Sequence, residues 1–371
     1  MTVNALIDAL TSLPEIVASL GGGAFGAAFG PLPAFVFTGF MVIAGEAAIL
    51  VGGPDYAQIT NAIAFGPAFS PAVSFGGGVA ATAYAAKKGY MDGFEYDYHQ
   101  AKNIAQALGT KPDVLFVGAG FGLLGWWMQV AFDTLALPYD PIAMGVVLSA
   151  IFHRLILGYS IIGKVRGSGI LDMSPFEREE RRPATDGGER VTDSETPKGG
   201  DAIVPEQEET ADSSASARLK VEPWLGHQYK WAHVATLGAF VGILGGWVSI
   251  VTGRAFLGFG ISAASLLFLN LGIEKVPVTH HITLPAGTAA LAVMADGDAV
   301  VAGLGEGPAL LVALVFGVIC ALFGELFQRV FYAHGDTHVD PPAAAIVFGT
   351  FLVAIMYFAG VFPDASWVPT F

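Results

Sequence analysis

Charge is what this chain has least of. Asp, Glu, Lys and Arg make up 13% of its 371 residues, against about 25% in an ordinary soluble domain. No lysine or arginine precedes Lys87, so MTVNALIDALTSLPEIV lacks the basic region of a cleavable signal and none is predicted. One cysteine is present, Cys320 in LVFGVICALFG. It excludes an internal disulfide and is expected to be a small buried apolar residue. Clusters of Lys and Arg are missing as well: acids outnumber bases 32 to 18 and the net charge is −14. Phosphate binding needs such clusters, so nucleic acid is excluded as a partner.

What fills the chain instead is apolar. Hydrophobic residues reach 53% and the mean hydropathy is +0.58. The few charges are bunched, which leaves windows long enough to cross roughly 30 Å of hydrocarbon. These features predict an all-α integral membrane protein with the lipid bilayer as its first partner. The water-facing parts must then be strongly acidic, a composition that resembles salt-adapted haloarchaeal proteins.

Ten apolar segments can be marked. Five lie in residues 1–163, near 12–30, 33–52, 62–86, 113–137 and 141–163. Five lie in 231–371, near 231–252, 255–273, 278–295, 308–332 and 341–362. Between them, 164–230 is polar and acidic. Its middle, ATDGGERVTDSETPKGGDAIVPEQEETADSSASA, has almost nothing to bury and is expected to be a disordered linker. With the N-terminus outside and all ten segments crossing, every basic residue except Arg254 falls on or beside a cytoplasmic loop, as basic residues should. The expected location is the cell membrane, multi-pass, with both termini extracellular and 164–230 cytoplasmic.

The two halves are similar to each other. GLLGWWMQVAF (122–132) lies over ALFGELFQRVF (321–331) at an offset of 199, and one inserted residue brings Asp140-Pro141 over Asp340-Pro341. AFSPAVSFGGGVAATAYA (68–85) matches HITLPAGTAALAVMA (281–295) around Pro71 and Pro285, and ASLGGGAFG (18–26) resembles ATLGAFVGI (235–243). Five crossings per half is odd, so a duplicated half enters the membrane upside down. The expected fold is therefore two inverted five-segment repeats, with a solute path where they meet.

Proline is favoured at the first helical position, and a preceding Asp or Ser can cap the free amides. Asp140-Pro141 and Asp340-Pro341 are predicted helix starts, one near each membrane face; Ser70-Pro71 and the region of Pro285 are others. Gly66-Pro67 interrupts segment three, and PVTHHITLPAG interrupts the start of segment eight. Both segments are predicted to be broken or re-entrant, because irregular backbone at membrane depth survives only against protein or a wet cavity. Helix starts aimed inward would suit an anion or a polar neutral solute.

Polar residues within apolar segments are the candidate path: Glu46, Ser70, Ser74, Gln129, His280, His281, Thr283, Thr288 and Gln328. Gln129 and Gln328 occupy matched positions. Glu46, Glu325, His153 and Arg154 are candidates for proton coupling or ion pairing, with Glu46–Arg154 and Glu325–Arg329 the pairs considered. Adjacent histidines without a third ligand at zinc spacing predict no metal. No phosphate loop, zinc triad or Ser-His-Asp set is visible, so neither an enzyme nor a cofactor is expected; GAGFGLLG (118–125) lies inside an apolar segment, where a phosphate cradle has no meaning. Glycine runs such as GGGAFG allow close helix approach, within the bundle or in a homo-oligomer.

SPAVSFG (70–76) resembles the Asn-Pro-Ala box of aquaporins, with Ser70 in place of Asn and LPAGTAA as the second copy; five segments per half depart from that family's three. DPPAAA (340–345) is similar to the motif of the HPP membrane family, with Asp340 replacing its His. Five crossings plus an interruption in each half is the plan of urea transporters. These likenesses are short or architectural and assign no family; the expected function, a transporter, permease or channel for a small polar or anionic solute, rests on the two inverted and interrupted halves. The competing expectation is a non-transporting membrane scaffold whose acidic linker docks a partner.

Overall fold

The computed structural model describes residues 3–91, 97–182 and 218–371. Helix accounts for 65% of the structure; among the described residues there is no strand, only a single bridge between Arg181 and Leu219. The central acidic tract expected to be disordered, 184–217, lies outside the described residues.

The first half comprises α1 (Val3–Thr11), α2 (Leu13–Phe29), α3 (Pro31–Gly52), α4 (Ser74–Lys87), α5 (Pro112–Thr134) and α6 (Pro141–Leu157). After the short α7 (Ser174–Glu177), the second comprises α8 (Trp231–Thr252), α9 (Ala255–Asn270), α10 (His280–Met294), α11 (Glu306–Phe331) and α12 (Pro341–Phe358). Of the ten segments expected to cross, five helices are long and apolar enough to do so: α3, α5, α8, α11 and α12. α2, α6 and α9 are apolar but shorter. The reason for the shortfall is plain in α4 and α10. At 14 and 15 residues they reach only about 21–23 Å, and nearly every residue in them is buried. They are the centres of the two halves, wrapped by the longer helices. Those longer helices turn large apolar side chains outward, among them Phe116, Phe240, Val251 and Leu311, as lipid-facing surfaces do.

The packing of one half matches that of the other. α2 lies on α5 as α8 lies on α11; α4 packs against α2, α5 and α6 as α10 packs against α8, α11 and α12. Glycines set the closest crossings. A Cβ on Gly23 would stand 2.8 Å from Gly122 Cα and press on the Gly118 carbonyl; a Cβ on Gly238 would stand 2.7 Å from the Gly317 carbonyl oxygen. Gly118 and Gly317 are separated by the same 199 residues that align the two halves. Between halves, α3 meets α9 and α6 meets α12, and both pairs run antiparallel. Gly39 faces Ala263 and Ala264 while Gly260 faces Val42 and Ile43. Asp140 N donates to Thr350 Oγ1 at 3.0 Å, while His153 and Arg154 reach Thr337.

That last crossing fixes how the two Asp-Pro starts lie relative to each other. Thr350 stands about ten residues, or about 15 Å, along α12 from Asp340. Asp140 is therefore level with the middle of α12, which Asp340 begins. Both do cap helices: Asp140 Oδ1 accepts from Ile142 N (2.8 Å) and Ala143 N (3.1 Å), and Asp340 Oδ2 accepts from Ala343 N (2.8 Å).

The interruption in segment three lies at Phe65–Val73. A wide helical turn, Ile59–Ala64, precedes it, and α4 follows. Segment eight differs from expectation. α10 is one continuous helix with Pro285 inside it, and the irregular backbone is the extended approach before His280. Pro285 fits because α12 offers Gly349 there; a Cβ on Gly349 would lie 2.6 Å from Pro285 Cβ.

The predicted linker is also narrower than expected. Residues 164–182 and 218–230 pack onto one end of the bundle, together with 97–105 and 331–340, and we call this the loop-rich end. Arg329, paired with Glu325 at 2.6 Å, donates to the carbonyls of Leu171 (2.6 Å) and Tyr229 (2.8 Å). Arg154 donates to Phe331 O at 2.8 Å, to Thr337 O at 2.7 Å and to Ile161 O. Charged heads here bind irregular backbone that no helix satisfies.

Candidate functional site: a cavity between the halves

The antiparallel crossings α3/α9 and α6/α12 leave a cavity of about 660 Å³ between the halves. That volume is in the range of small-molecule sites. Most of its wall is apolar, with Phe35, Phe75 and Phe259 prominent. At one end it reaches the exposed residues Asn61 and Asp133; at the loop-rich end it reaches the buried Lys102, Tyr332 and His338.

Of the residues selected from sequence, Gln129, His280, Asp140, Asp340, Pro71 and Pro141 line this cavity. Gln129 closes the break in segment three: its Nε2 donates to Phe65 O at 2.8 Å and its Oε1 accepts from Ser70 Oγ at 2.5 Å. Ser74 Oγ turns back to Phe69 O and Ser70 O. A single side chain thus satisfies backbone that the missing helical bonds leave open. In the second half Gln228 does the same for the approach to α10, exchanging bonds of 2.9 and 3.0 Å with Val278.

Other candidates lie off the cavity. Glu46 is fully buried, but its partner is Arg254, not Arg154: Nε donates to Oε2 at 2.6 Å and NH2 to Oε1 at 3.2 Å, and Thr60 Oγ1 adds a bond of 3.1 Å. The pair ties α3 to the start of α9 across the halves. Gln328 accepts from Trp224 N (3.1 Å) and donates to Glu325 (3.0 Å). Thr283 bonds to His280 O; Thr288 bonds to Leu284 O and accepts from Trp367 Nε1 at 2.8 Å. His281 is buried beside Trp224. His153 and Arg154 hold Thr337.

The family model of DUF7973, described as a family of unknown function, matches residues 5–371. The chain belongs to that family. No curated protein and no solved structure matches it. The functional reading of this DUF7973 member therefore rests on its own geometry.

Among the cavity residues not selected from the sequence, His338 and Lys102 bear on the chemistry. His338 Nε2 donates to Asp340 Oδ1 at 3.2 Å, and its Nδ1 has no partner among the described residues. It stands two residues before Asp340, and that spacing could have flagged it. Lys102 gave no such signal, being one lysine in a polar loop. It is fully buried, donates to Glu222 at 2.6 Å and to Tyr332 O at 2.9 Å, and burial lowers it to about 8. Arg182 and Arg218 also approach Glu222, at 3.6 and 3.3 Å, and both pair with Asp336. Among the described residues no group of three His, Cys, Asp or Glu side chains is placed to hold a metal.

This charged floor makes stability depend on pH. Burial, with Arg218 nearby, lowers His99 to about 4, and its Nδ1 accepts from Ala101 N at 3.1 Å. Unfolded, it would titrate near 6.5. Between those values the unfolded chain holds a proton that the folded chain has lost, so stability is complete above about 6.5 and falls as pH drops towards 4. His99→Gln is expected to flatten that slope, by up to about 3 kcal/mol between pH 7 and 4. SDS-titration unfolding of both proteins at several pH values measures it, and parallel curves would remove His99 from the account.

Proposed function

We propose that this protein is a membrane transporter or channel for a small polar solute, built from two inverted five-segment repeats with the path between them. One observation carries the reading: a cavity walled by both halves, against which the break in segment three and the extended approach to α10 abut. Transport sites form at such interfaces and beside such interruptions. The matched packing and the antiparallel pairing of corresponding helices support the inversion. The bases gathered at the loop-rich end support a cytoplasmic position for it, with both termini outside.

Ala143 on α6 and Ala343 on α12 both line the cavity. Replacing either with Phe fills the path without touching a charge. Uptake by proteoliposomes of whichever member of a panel of small polar solutes the wild type moves is expected to fall at least tenfold in each variant. Uptake by neither wild type nor variants above protein-free vesicles, or equal uptake by all three, defeats the proposal.

A scaffold is the second reading, favoured by the plate of 164–182 and 218–230 held by buried charges. It gains if no solute moves while the loop-rich end captures a soluble protein in a way that needs the acidic tract.

A further inference from the structure

The cavity's polar groups favour a positive charge. Asp140 and Asp340 are on its wall, with Asp133 at its exposed end. The one cation on the wall, Lys102, is already neutralised by Glu222. The helix starts at Pro141 and Pro341 give their amides to Asp140 and Asp340 rather than to an anion. Asp140 Oδ2 accepts no hydrogen bond from the described residues, although the side chain is 6% exposed.

The second, independent observation is histidine. His280 is 5% exposed and on the cavity wall, yet its Nδ1 is buried with no hydrogen-bond partner among the described residues. Asp340 is the one charge felt by its ring. His338, 1% exposed, gives its Nε2 proton to Asp340, which leaves Nδ1 a bare acceptor. A buried polar atom without a partner costs free energy that a ligand can return. What is missing is a donor.

Rings complete the site. Phe35 stands 4.8 Å from His280 and 5.9 Å from both Phe75 and Phe259, and Phe75 stands 5.7 Å from His338. Such a wall attracts a cation through its π-faces and accepts apolar substituents by contact.

We propose that the cavity takes an organic ammonium ion, a charged nitrogen bearing N–H donors and an apolar body, rather than an anion. The aromatic wall holds the body, and Asp340 with His280 and His338 receives the ammonium; Asp140, about 15 Å along α12, adds negative potential on the same wall without touching it. Beyond Lys102, the guanidinium groups of Arg154, Arg182 and Arg218 form a floor that turns a cation back at the loop-rich end. The proposal names the solute class for the path described above and rests on that reading for transport, but not for binding.

The test compares benzylammonium, benzyl alcohol and benzoate, which share one ring and differ in charge. Binding to the purified full-length protein is measured by calorimetry in detergent, apart from any transport. Benzylammonium is expected to bind at least tenfold more tightly than the other two. Asp340→Asn and Asp140→Asn both keep the capping oxygen and remove the charge; Asp340→Asn is expected to weaken benzylammonium at least tenfold, and Asp140→Asn, which removes only a distant charge, by less than threefold. Phe259→Leu, which leaves every carboxylate in place, is expected to weaken the ammonium more than the alcohol, and this decides the matter if the Asn variants misfold. Benzoate binding as tightly, or benzylammonium indifferent to both carboxylates and to Phe259, overturns the proposal. Ammonium binding without vesicle uptake upholds the proposal and removes the transport reading; benzoate uptake without ammonium binding does the reverse.

Discussion

Arg254→Ala is expected to cost about 3 kcal/mol of unfolding free energy, the low end of the penalty for leaving a buried charge without its partner. The low end applies because Arg254 is itself one-third exposed, whereas Glu46 is fully buried. Removing Arg254 leaves the Glu46 carboxylate with a single hydrogen bond, from Thr60, between apolar helices. Glu46→Leu removes the stranded charge, so the double variant Glu46→Leu/Arg254→Ala is expected to recover most of the loss. A double-mutant cycle by SDS titration measures the coupling directly. Losses that simply add would mean that the two halves are not joined by this pair. The same cycle bears on mechanism. Glu46 stands outside the cavity and is held at both oxygens, which makes it a tie between the halves and weakens its candidacy as a proton carrier.

Gly23→Ala is expected to be nearly as damaging, at about 2–3 kcal/mol. The new Cβ would stand 2.8 Å from Gly122 Cα and closer still to the Gly118 carbonyl. Backbone cannot rotate aside as a side chain can, so α2 and α5 must separate and lose contact along their length. Gly21→Ala is the control: nothing lies within 4 Å of its Cβ, and replacing a helical glycine there is expected to stabilise by up to about 1 kcal/mol. Gly238→Ala is expected to follow Gly23→Ala, since its Cβ meets Gly317 O at 2.7 Å and Ala321 Cβ at 2.8 Å. If both glycines behaved like Gly21, the crossings would not be backbone-limited, and the matched packing would lose its physical basis.

These two results concern how the halves hold together, and transport would require them to move. α3/α9 and α6/α12 are the contacts between halves, and they flank the cavity. Any opening at the loop-rich end must disturb the floor in which Lys102, Glu222, Arg182, Arg218 and Asp336 share charge. A buried cluster of that kind has large opposing terms, which suits a boundary that is closed in one state and broken in another.

Composition and local chemistry by themselves determined a good deal. Scarce charge and long apolar windows pointed to an all-helical chain with helices long and apolar enough to cross a membrane, where only closed hydrogen bonding survives. Asp140 and Asp340 were legible as caps because a cap is a contact over two or three residues. The break at Gly66-Pro67 was legible because proline withholds an amide. The Glu325–Arg329 pair was legible because i and i+4 share a helix face. Only the tertiary structure decided the rest. Glu46 and Arg254 lie 208 residues apart, and no local rule selects Arg254 over Arg154. Pro285 reads as a helix breaker until Gly349 of another helix is seen to make room for it. Only the α6/α12 crossing puts Asp140 level with the middle of α12. The cavity belongs to neither half alone. Short-range chemistry is written along the chain, whereas depth, partnership and enclosure depend on which distant surfaces meet.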